Sequence, residues 1–170
     1  DALHLVFAGP VVHRPEAAPR MIVIGEVDEA TKWGLLRGAT ALVSPSAFES
    51  FGIVLMEAWV VGVPVLVNAR CAVAVDHVRE AVGGLEFGDF AGFEVAVERL
   101  TAAAGLRERL GARGRAHVVQ NQGERKDSMR PRPMKLVIML AWDTMAGGSW
   151  RMTMSGVCDW SWSMKSIQLR

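Results

Sequence analysis

The segment from residue 41 to residue 67 most strongly constrains the fold of this chain. Ala41–Ser44 is a short apolar run typical of a buried strand, and Val65–Val67 is another. Between them lie a loop and an apolar helical stretch that ends at Gly62-Val63-Pro64, where the proline cannot continue the helix. Short apolar strands joined by a helix predict parallel strands that are buried on both faces of a sheet.

The loop and helix start within this segment have the features of an anion site. A strand end, a tight loop and a helix N-terminus bring together free backbone N–H groups and the positive end of a helix dipole. Glu49 and Glu57 flank this point, eight positions apart. Carboxylates do not bind phosphate, but they accept hydrogen bonds from hydroxyl groups beside it. The layout therefore predicts a diphosphate with a sugar on each side, as in a nucleotide-sugar.

A purely structural interpretation of the two glutamates stands beside this one. Two glutamates at this spacing are common by chance, and Glu57 could be a solvated helix residue while Glu49 caps a helix or lies in a loop. Against it, the neighbours of Glu57 are apolar and offer a poor environment for an unpaired charge. They are Leu55, Met56, Ala58 and Trp59.

Strands and helices alternate along the first 120 residues. The predicted strands are 3–8, 21–24, 41–44, 65–67 and 85–87. The predicted helices are 28–37, 52–61, 76–81, one that begins at residue 89, and 106–119. Asp28 and Asp89 are the predicted N-caps of two of these helices. The alternation predicts an α/β fold with a doubly wound parallel sheet.

Four motifs of the chain resemble those of retaining glycosyltransferases of family four. Glu49 and Glu57 are similar to the E-x7-E signature of that family. Residues 25–32 resemble its loop and helix start beside the nucleobase, 62–66 its G-x-P-V strand entry, and 106–115 its late helix. The resemblance runs from about residue 3 to residue 119. It implies that residues 1–120 are an incomplete, Rossmann-like, nucleotide-sugar-binding C-terminal half of a GT-B fold.

The resemblance also implies roles for single positions. Glu49 would face the hydroxyls of the donor sugar, and Glu57 would accept hydrogen bonds from the ribose. The backbone amides that would meet the diphosphate belong to Ser50, Phe51, Gly52 and Ile53. The positions that would lie near the base are Val27, Glu29 and Lys32, and the loop glycine near the donor is Gly9. For Lys32 the alternative is a solvated helix residue, and for Gly9 an ordinary turn at a strand end.

The implied activity is transfer of a hexose from a nucleoside diphosphate sugar to a hydroxyl acceptor. The resemblance implies no cofactor and no metal, because helix-end amides and basic side chains stabilise the departing diphosphate. It also places the acceptor-side residues in an N-terminal domain that this chain lacks. We therefore assign no catalytic residue and expect the chain alone to be inactive. Two alternatives stay open: a sugar-nucleotide epimerase of the same fold, and a non-catalytic interaction module or degenerate fragment.

The chain departs from the family pattern in three places. Residues 121–170 have no match, and we interpret them as a non-homologous tail, from a frameshifted or misassembled reading frame; a genuine extension or partner-binding tail is the alternative. One strand expected before residue 3 is missing, and it would lie between the strands 3–8 and 41–44. We hypothesise that the apolar run 135–140 fills this place. The stretch 68–73 lacks the glycine-rich loop common in the family.

Composition and spacing exclude several other functions. A net charge of +1 gives no indication of a nucleic-acid or membrane-surface partner. No apolar run approaches the roughly 20 residues of a transmembrane helix, and no signal peptide is visible, so we expect a cytoplasmic protein. Cys71 and Cys158 have no metal-ligand spacing, nor do the histidines, which are His4, His13, His77 and His117. His77 and Asp76 are adjacent on a predicted helix and so do not face each other as a catalytic pair would.

Overall fold

A computed structural model describes residues 2–10, 18–121 and 137–143. The strands in these ranges are β1 (Ala2–Ala8), β2 (Met21–Gly25), β3 (Ala41–Ser44), β4 (Val65–Asn68), β5 (Gly84–Phe87) and β6 (Val137–Asp143). The helices are α1 (Glu29–Gly38), α2 (Ile53–Val60), α3 (Ala72–Ala81), α4 (Phe90–Ala102) and α5 (Ala104–Asn121). Within the described part of the chain, no helix combines the length and apolar character needed to span a membrane.

The strands form one sheet in the order β2-β1-β6-β3-β4-β5. β1 is parallel to β2, and β3, β4 and β5 are parallel neighbours. β6 is antiparallel to both of its neighbours, β1 and β3, so these two strands run parallel to each other. The predicted α/β fold with a doubly wound sheet is confirmed. One antiparallel strand in the middle makes the sheet mixed rather than wholly parallel.

β6 occupies the gap that the sequence leaves between β1 and β3. Val137 lies opposite Ala8, and Ile138 lies opposite Phe7 on one side and Val43 on the other. The hypothesis that the run 135–140 fills this place is confirmed for the residues described, although the strand begins at Val137 and runs in the opposite direction to the missing one. An antiparallel ladder satisfies the backbone groups of β1 and β3 as a parallel one does, so the sheet has no unpaired strand edge at this point. The remainder of the predicted tail, apart from Asn121, lies outside the described residues.

Two aspartates cap helices as predicted from the sequence. The Asp28 carboxylate accepts a hydrogen bond from the Thr31 backbone N–H at 2.7 Å, and Asp89 accepts one from Gly92 at 2.7 Å. By contrast, α3 begins at residue 72, well before the predicted start at residue 76. Cys71 occupies its N-cap without a side-chain hydrogen bond, so no capping residue marks this start in the sequence.

Both faces of the sheet are covered by helices, as the apolar strands require. Alternate strand residues point to opposite faces. On one face, strand residues such as Val6 and Leu42 pack with α1, α2 and α3. On the other, residues such as Phe7 and Val43 pack with α4. Helix α5 contributes Val118 to the first cluster and Leu110 to the second.

Helix α5 approaches α2 closely because two glycines lie at the contact. A Cβ atom on Gly111 would stand 1.8 Å from the carbonyl oxygen of Gly62, and one on Gly114 would stand 2.1 Å from Cδ1 of Trp59. Trp59 is fully buried, and its indole N–H donates a hydrogen bond to the carbonyl of Gly83 at 2.9 Å. The packing of α2 on α5 thus depends on the absence of side chains at residues 111 and 114.

Candidate functional site

The loops after the parallel strands meet at one edge of the sheet. Gly9 follows β1, Val27 follows β2 and Glu49 follows β3, so all three lie where parallel strands end. The Gly9 N–H donates to the carbonyl of Gly25 at 2.7 Å, which joins the ends of β1 and β2. The ligand-binding crevice of doubly wound folds lies at this edge, beside the point where the strand order reverses.

Asn68 fixes the start of the loop that carries Glu49. It is the last residue of β4 and is almost completely buried. Its side-chain N–H donates to the carbonyl of Pro45 at 2.9 Å, and its side-chain oxygen accepts from the Arg70 N–H at 2.9 Å. These two bonds tie the loop after β3 to the loop after β4. Sequence reasoning assigned no role to Asn68, since its partners are backbone groups brought near only by the fold.

Helix α2 begins with backbone amides that its own residues do not cap. Its N-cap is Gly52, which has no side chain, and its first turn contains no acidic residue. Gly52 adopts a left-handed conformation with φ of 67°, which glycine accepts without strain. The amides of Ile53 and Val54 therefore stand at the positive end of the helix, the arrangement that suits an anion.

His77 of α3 supports the loop immediately before α2. Its Nε2 lies 3.1 Å from the carbonyl oxygen of Phe51. The Phe51 and His77 rings meet edge to face, with centroids 5.8 Å apart. Phe51 was a predicted diphosphate contact, and the structure adds His77 as the side chain that holds it. This role was missed because the two residues are distant in sequence.

Lys32 connects α1 to α2 through two carboxylates. Its Nζ lies 2.9 Å from Oε1 of Glu57 and 2.8 Å from Oε1 of Glu29. The Lys32 side chain is only 6% exposed, that of Glu57 is 22% exposed, and that of Glu29 is 58% exposed. Burial disfavours the Lys32 ammonium, but the hydrogen bonds and charges of Glu29 and Glu57 outweigh it, so the pKa of Lys32 is raised. The site thus holds a buried, charged lysine.

Three of the predicted site residues are therefore brought together: Glu29, Lys32 and Glu57. The alternative of a solvated Lys32 is wrong, because this side chain is buried and forms an ion pair with Glu57. Glu49 lies half-buried in the loop after β3, and Val27 packs against the first core cluster. The ligand roles assigned to all these residues, and to Ser50, Gly52 and Ile53, stay predictions.

A second group of side chains, distinct from the predicted site, was also missed. His77 and Glu80 of α3 lie near His117 of α5, with one nitrogen or oxygen atom of each within 4.8 Å of the others. Only the His77–Glu80 spacing of one helical turn is visible in the sequence. The third member comes from a helix that is distant in sequence.

Comparison with known proteins agrees with the fold. The model of the family described as glycosyl transferases group 1 matches residues 12–117, which is more than half of the chain. Comparison with curated proteins gives no significant match.

Two solved structures are similar to this chain. WaaG, a glycosyltransferase involved in lipopolysaccharide biosynthesis, is 23% identical with a TM-score of 0.51, over 59% of this chain and 27% of WaaG. Sucrose-phosphate synthase from Thermosynechococcus elongatus is 28% identical with a TM-score of 0.54, over 59% of this chain and 26% of the synthase. The matched region thus spans only about a quarter of each of these proteins. By its family match and its fold, the chain belongs to the group 1 glycosyl transferases, with a Rossmann-like domain of the GT-B type.

Proposed function

We propose that this chain is the donor-binding part of a retaining glycosyltransferase. The complete enzyme would move a hexose from a nucleoside diphosphate sugar to a hydroxyl acceptor. The observation that carries the proposal is the position of the Lys32–Glu57 ion pair beside the uncapped start of α2, at the carboxyl edge of the parallel strands.

The start of α2 supports the diphosphate part of the proposal. Gly52 leaves the first amides of the helix without a side-chain cap, and no carboxylate in the first turn opposes an incoming anion. The His77 contact to the Phe51 carbonyl holds the loop in place before a ligand arrives. A preorganised loop loses less conformational entropy on binding than a mobile one.

Glu57 supports the ribose part. It stands four residues after Ile53, about 6 Å along the helix axis, which is a reasonable separation between a diphosphate and a ribose ring. Among the described residues, the hydrogen bond of Glu57 uses Oε1, so Oε2 can accept a ribose hydroxyl. Nζ of Lys32, 2.9 Å from Oε1, orients this carboxylate from the protein side.

The remaining predicted residues would contact the sugar and the base of the donor. Glu49, in the loop after β3, would accept hydrogen bonds from hydroxyls of the donor sugar. Val27, Glu29 and Lys32 would lie near the base, an arrangement that favours guanine without excluding uracil. Gly9 would allow the donor to approach the end of β1.

The position of β6 argues that the chain alone binds the donor weakly. Its first residue, Val137, lies opposite Ala8 at the same edge of the sheet. An antiparallel strand thus begins at the edge where a parallel strand would end and its following turn would contribute donor contacts. We expect sugar transfer to require those contacts and the residues of a second domain.

Calorimetric titration with UDP, GDP, UDP-glucose and GDP-mannose tests the proposal. We expect one base to be preferred, and we expect Glu57→Gln to weaken binding about tenfold through loss of a hydrogen bond to a charged acceptor. The matched control is Glu98→Gln, an exposed carboxylate on α4 across the sheet, which should bind as the unmodified chain does. Equal affinities for all three proteins, or no binding by the folded chain, would contradict the proposal.

A product assay separates the proposed function from its alternatives. The chain should release no transferred sugar from UDP-glucose or GDP-mannose with a hydroxyl acceptor present. Measurable transfer would show that the second domain is dispensable. An epimerised sugar formed without acceptor would instead support the epimerase alternative.

A further inference from the structure

The group formed by His77, Glu80 and His117 has the composition of a metal site. His77 and Glu80 are one turn apart on α3, and His117 reaches toward them from α5. One nitrogen or oxygen atom of each residue lies within 4.8 Å of those of the other two. Two imidazoles and one carboxylate are a donor set that Zn²⁺ and similar ions prefer.

We propose that these three residues bind a divalent transition-metal ion of the Zn²⁺ class and that the ion joins α3 to α5. Tetrahedral bonds of about 2.1 Å place ligand atoms about 3.4 Å apart, so atoms that lie within 4.8 Å of one another must approach by at most about 1.4 Å. Glu80 is exposed and can supply most of this movement, while both histidines are half-buried. Three protein ligands leave a fourth position for water.

The surroundings of His77 favour a metal ligand. Its Nε2 lies 3.1 Å from the carbonyl oxygen of Phe51. When Nε2 carries the proton and donates to this carbonyl, Nδ1 keeps the lone pair that a metal requires. Metal-binding histidines commonly donate their second N–H in this way, which fixes the ring and its tautomer.

His117 also has neighbours that hold its ring, although Asn121 presents a side-chain nitrogen to it rather than an oxygen. Its ring meets Trp59 edge to face, with centroids 6.0 Å apart. The side-chain nitrogen of Asn121 lies 3.2 Å from Nε2 and 3.4 Å from Nδ1 of His117. On metal binding, we expect the Asn121 amide to turn, so that its oxygen accepts the N–H of the nitrogen that does not bind the metal.

The proposed ion has a structural role and lies outside the proposed donor contacts, which we expect to need no metal. By joining α3 to α5 it would hold His77, and through the Phe51 carbonyl it would hold the loop before α2. The inference does not depend on the proposed donor site, because its three ligands and its probe are different.

Titration of the full chain with Zn²⁺ alone tests the proposal, with Co²⁺ as a spectroscopic probe. We expect one ion per chain and visible Co²⁺ absorption typical of tetrahedral nitrogen and oxygen ligands, without thiolate bands. Glu80→Gln should weaken Zn²⁺ binding about tenfold or more, and His117→Gln at least as much. The control, Glu108→Gln, removes an exposed carboxylate of α5 outside the group and should leave the affinity unchanged.

Glu80→Gln is the decisive variant. His117 contacts the buried Trp59, so its replacement could disturb folding, whereas Glu80 is exposed. Zn²⁺ affinity that is the same for Glu80→Gln and the unmodified chain would overturn the proposal. So would a folded chain that takes up no Zn²⁺, or Co²⁺ spectra dominated by thiolate bands.

Discussion

Nζ of Lys32 lies 2.9 Å from Oε1 of Glu57, although 25 positions separate the two residues in the sequence. The lysine is almost fully buried, and the glutamate emerges from an otherwise apolar helix. Each residue supplies the charge that makes the other tolerable in its environment. The contact also fixes the orientation of α1 relative to α2 at the rim of the proposed donor site.

Replacing Lys32 with methionine should destabilise the chain. The change removes the cation beneath Glu57 and leaves that carboxylate over apolar surface. Removing one partner of a fully buried pair costs about 3–5 kcal/mol, but water reaches Glu57, so we expect about 1–2 kcal/mol. Urea unfolding measures this difference. Glu29→Gln is the control, since its side chain is 58% exposed and its pair should contribute about 0.5 kcal/mol or less. Equal losses for the two variants would contradict the prediction.

A double-mutant cycle isolates the Lys32–Glu57 interaction. Glu57→Gln alone leaves a buried ammonium with only Glu29 as its partner, so we expect it to destabilise the chain. The double variant Lys32→Met/Glu57→Gln should be less destabilised than the sum of the single variants, because no charge is left unpaired. Additive losses would show that the two side chains do not interact in solution.

Stability should fall at high pH because of Lys32. The folded state raises the pKa of this lysine above its ordinary value of 10.5. A group with a raised folded pKa contributes stability that is complete below its unfolded pKa and is lost as the pH rises through the folded value. The stability difference between the unmodified chain and Lys32→Met should therefore shrink as the pH rises above about 10.5. Urea unfolding at a series of alkaline pH values measures it, and a difference that stays constant would rule out this linkage.

Alanine substitutions in α5 should have opposite effects at different glycines. At Gly114 a Cβ would stand 2.1 Å from the Trp59 ring, so Gly114→Ala should destabilise the chain by about 1–3 kcal/mol. At Gly105 the nearest atom to such a Cβ is a flexible arginine nitrogen 3.6 Å away. Gly105→Ala should therefore stabilise the chain by up to about 1 kcal/mol through helix propensity. Thermal unfolding of both variants measures this, and a shift of the same sign would contradict the packing of α5 on α2.

The amides in the centre of β6 should exchange slowly with deuterium. Met139 lies opposite Val6 on one side and Leu42 on the other, so its strand is paired along both edges. We expect protection similar to that of the β3 amides, because opening β6 breaks the sheet in the middle. Hydrogen exchange read by mass spectrometry or NMR provides the measurement. Exchange of residues 138–141 at the rate of an unstructured peptide would exclude this strand from the sheet.

Features that depend on local chemistry were predictable from the sequence. The first three residues of the run Ala41–Ser44 are apolar, as expected for a strand that is buried on both faces of a sheet. All four residues are buried in the structure. Asp28 and Asp89 cap helices through bonds to residues three positions later. In each case the signal and its partner lie within a few residues of each other.

Features that depend on contacts between distant segments could not be predicted from the sequence. The start of α3 has no capping side chain, so its first turn is stabilised by packing that the sequence does not display. The Lys32–Glu57 pair and the meeting of His77 with His117 each require two helices to be placed side by side. The direction of β6 is likewise a property of the assembled sheet rather than of its apolar run.

The central place of β6 has a consequence for synthesis on the ribosome. β6 is synthesised after the five parallel strands. Among the described strands, it alone joins the β1–β2 pair to the group formed by β3, β4 and β5. A nascent chain that has not reached residue 143 therefore holds two separate groups of strands. Pairing between strands that are far apart in the sequence is slow. Until β6 has paired, the edges of β1 and β3 are open to pairing with other chains. This polypeptide should consequently depend on chaperones during translation more than a domain whose central strand is made first.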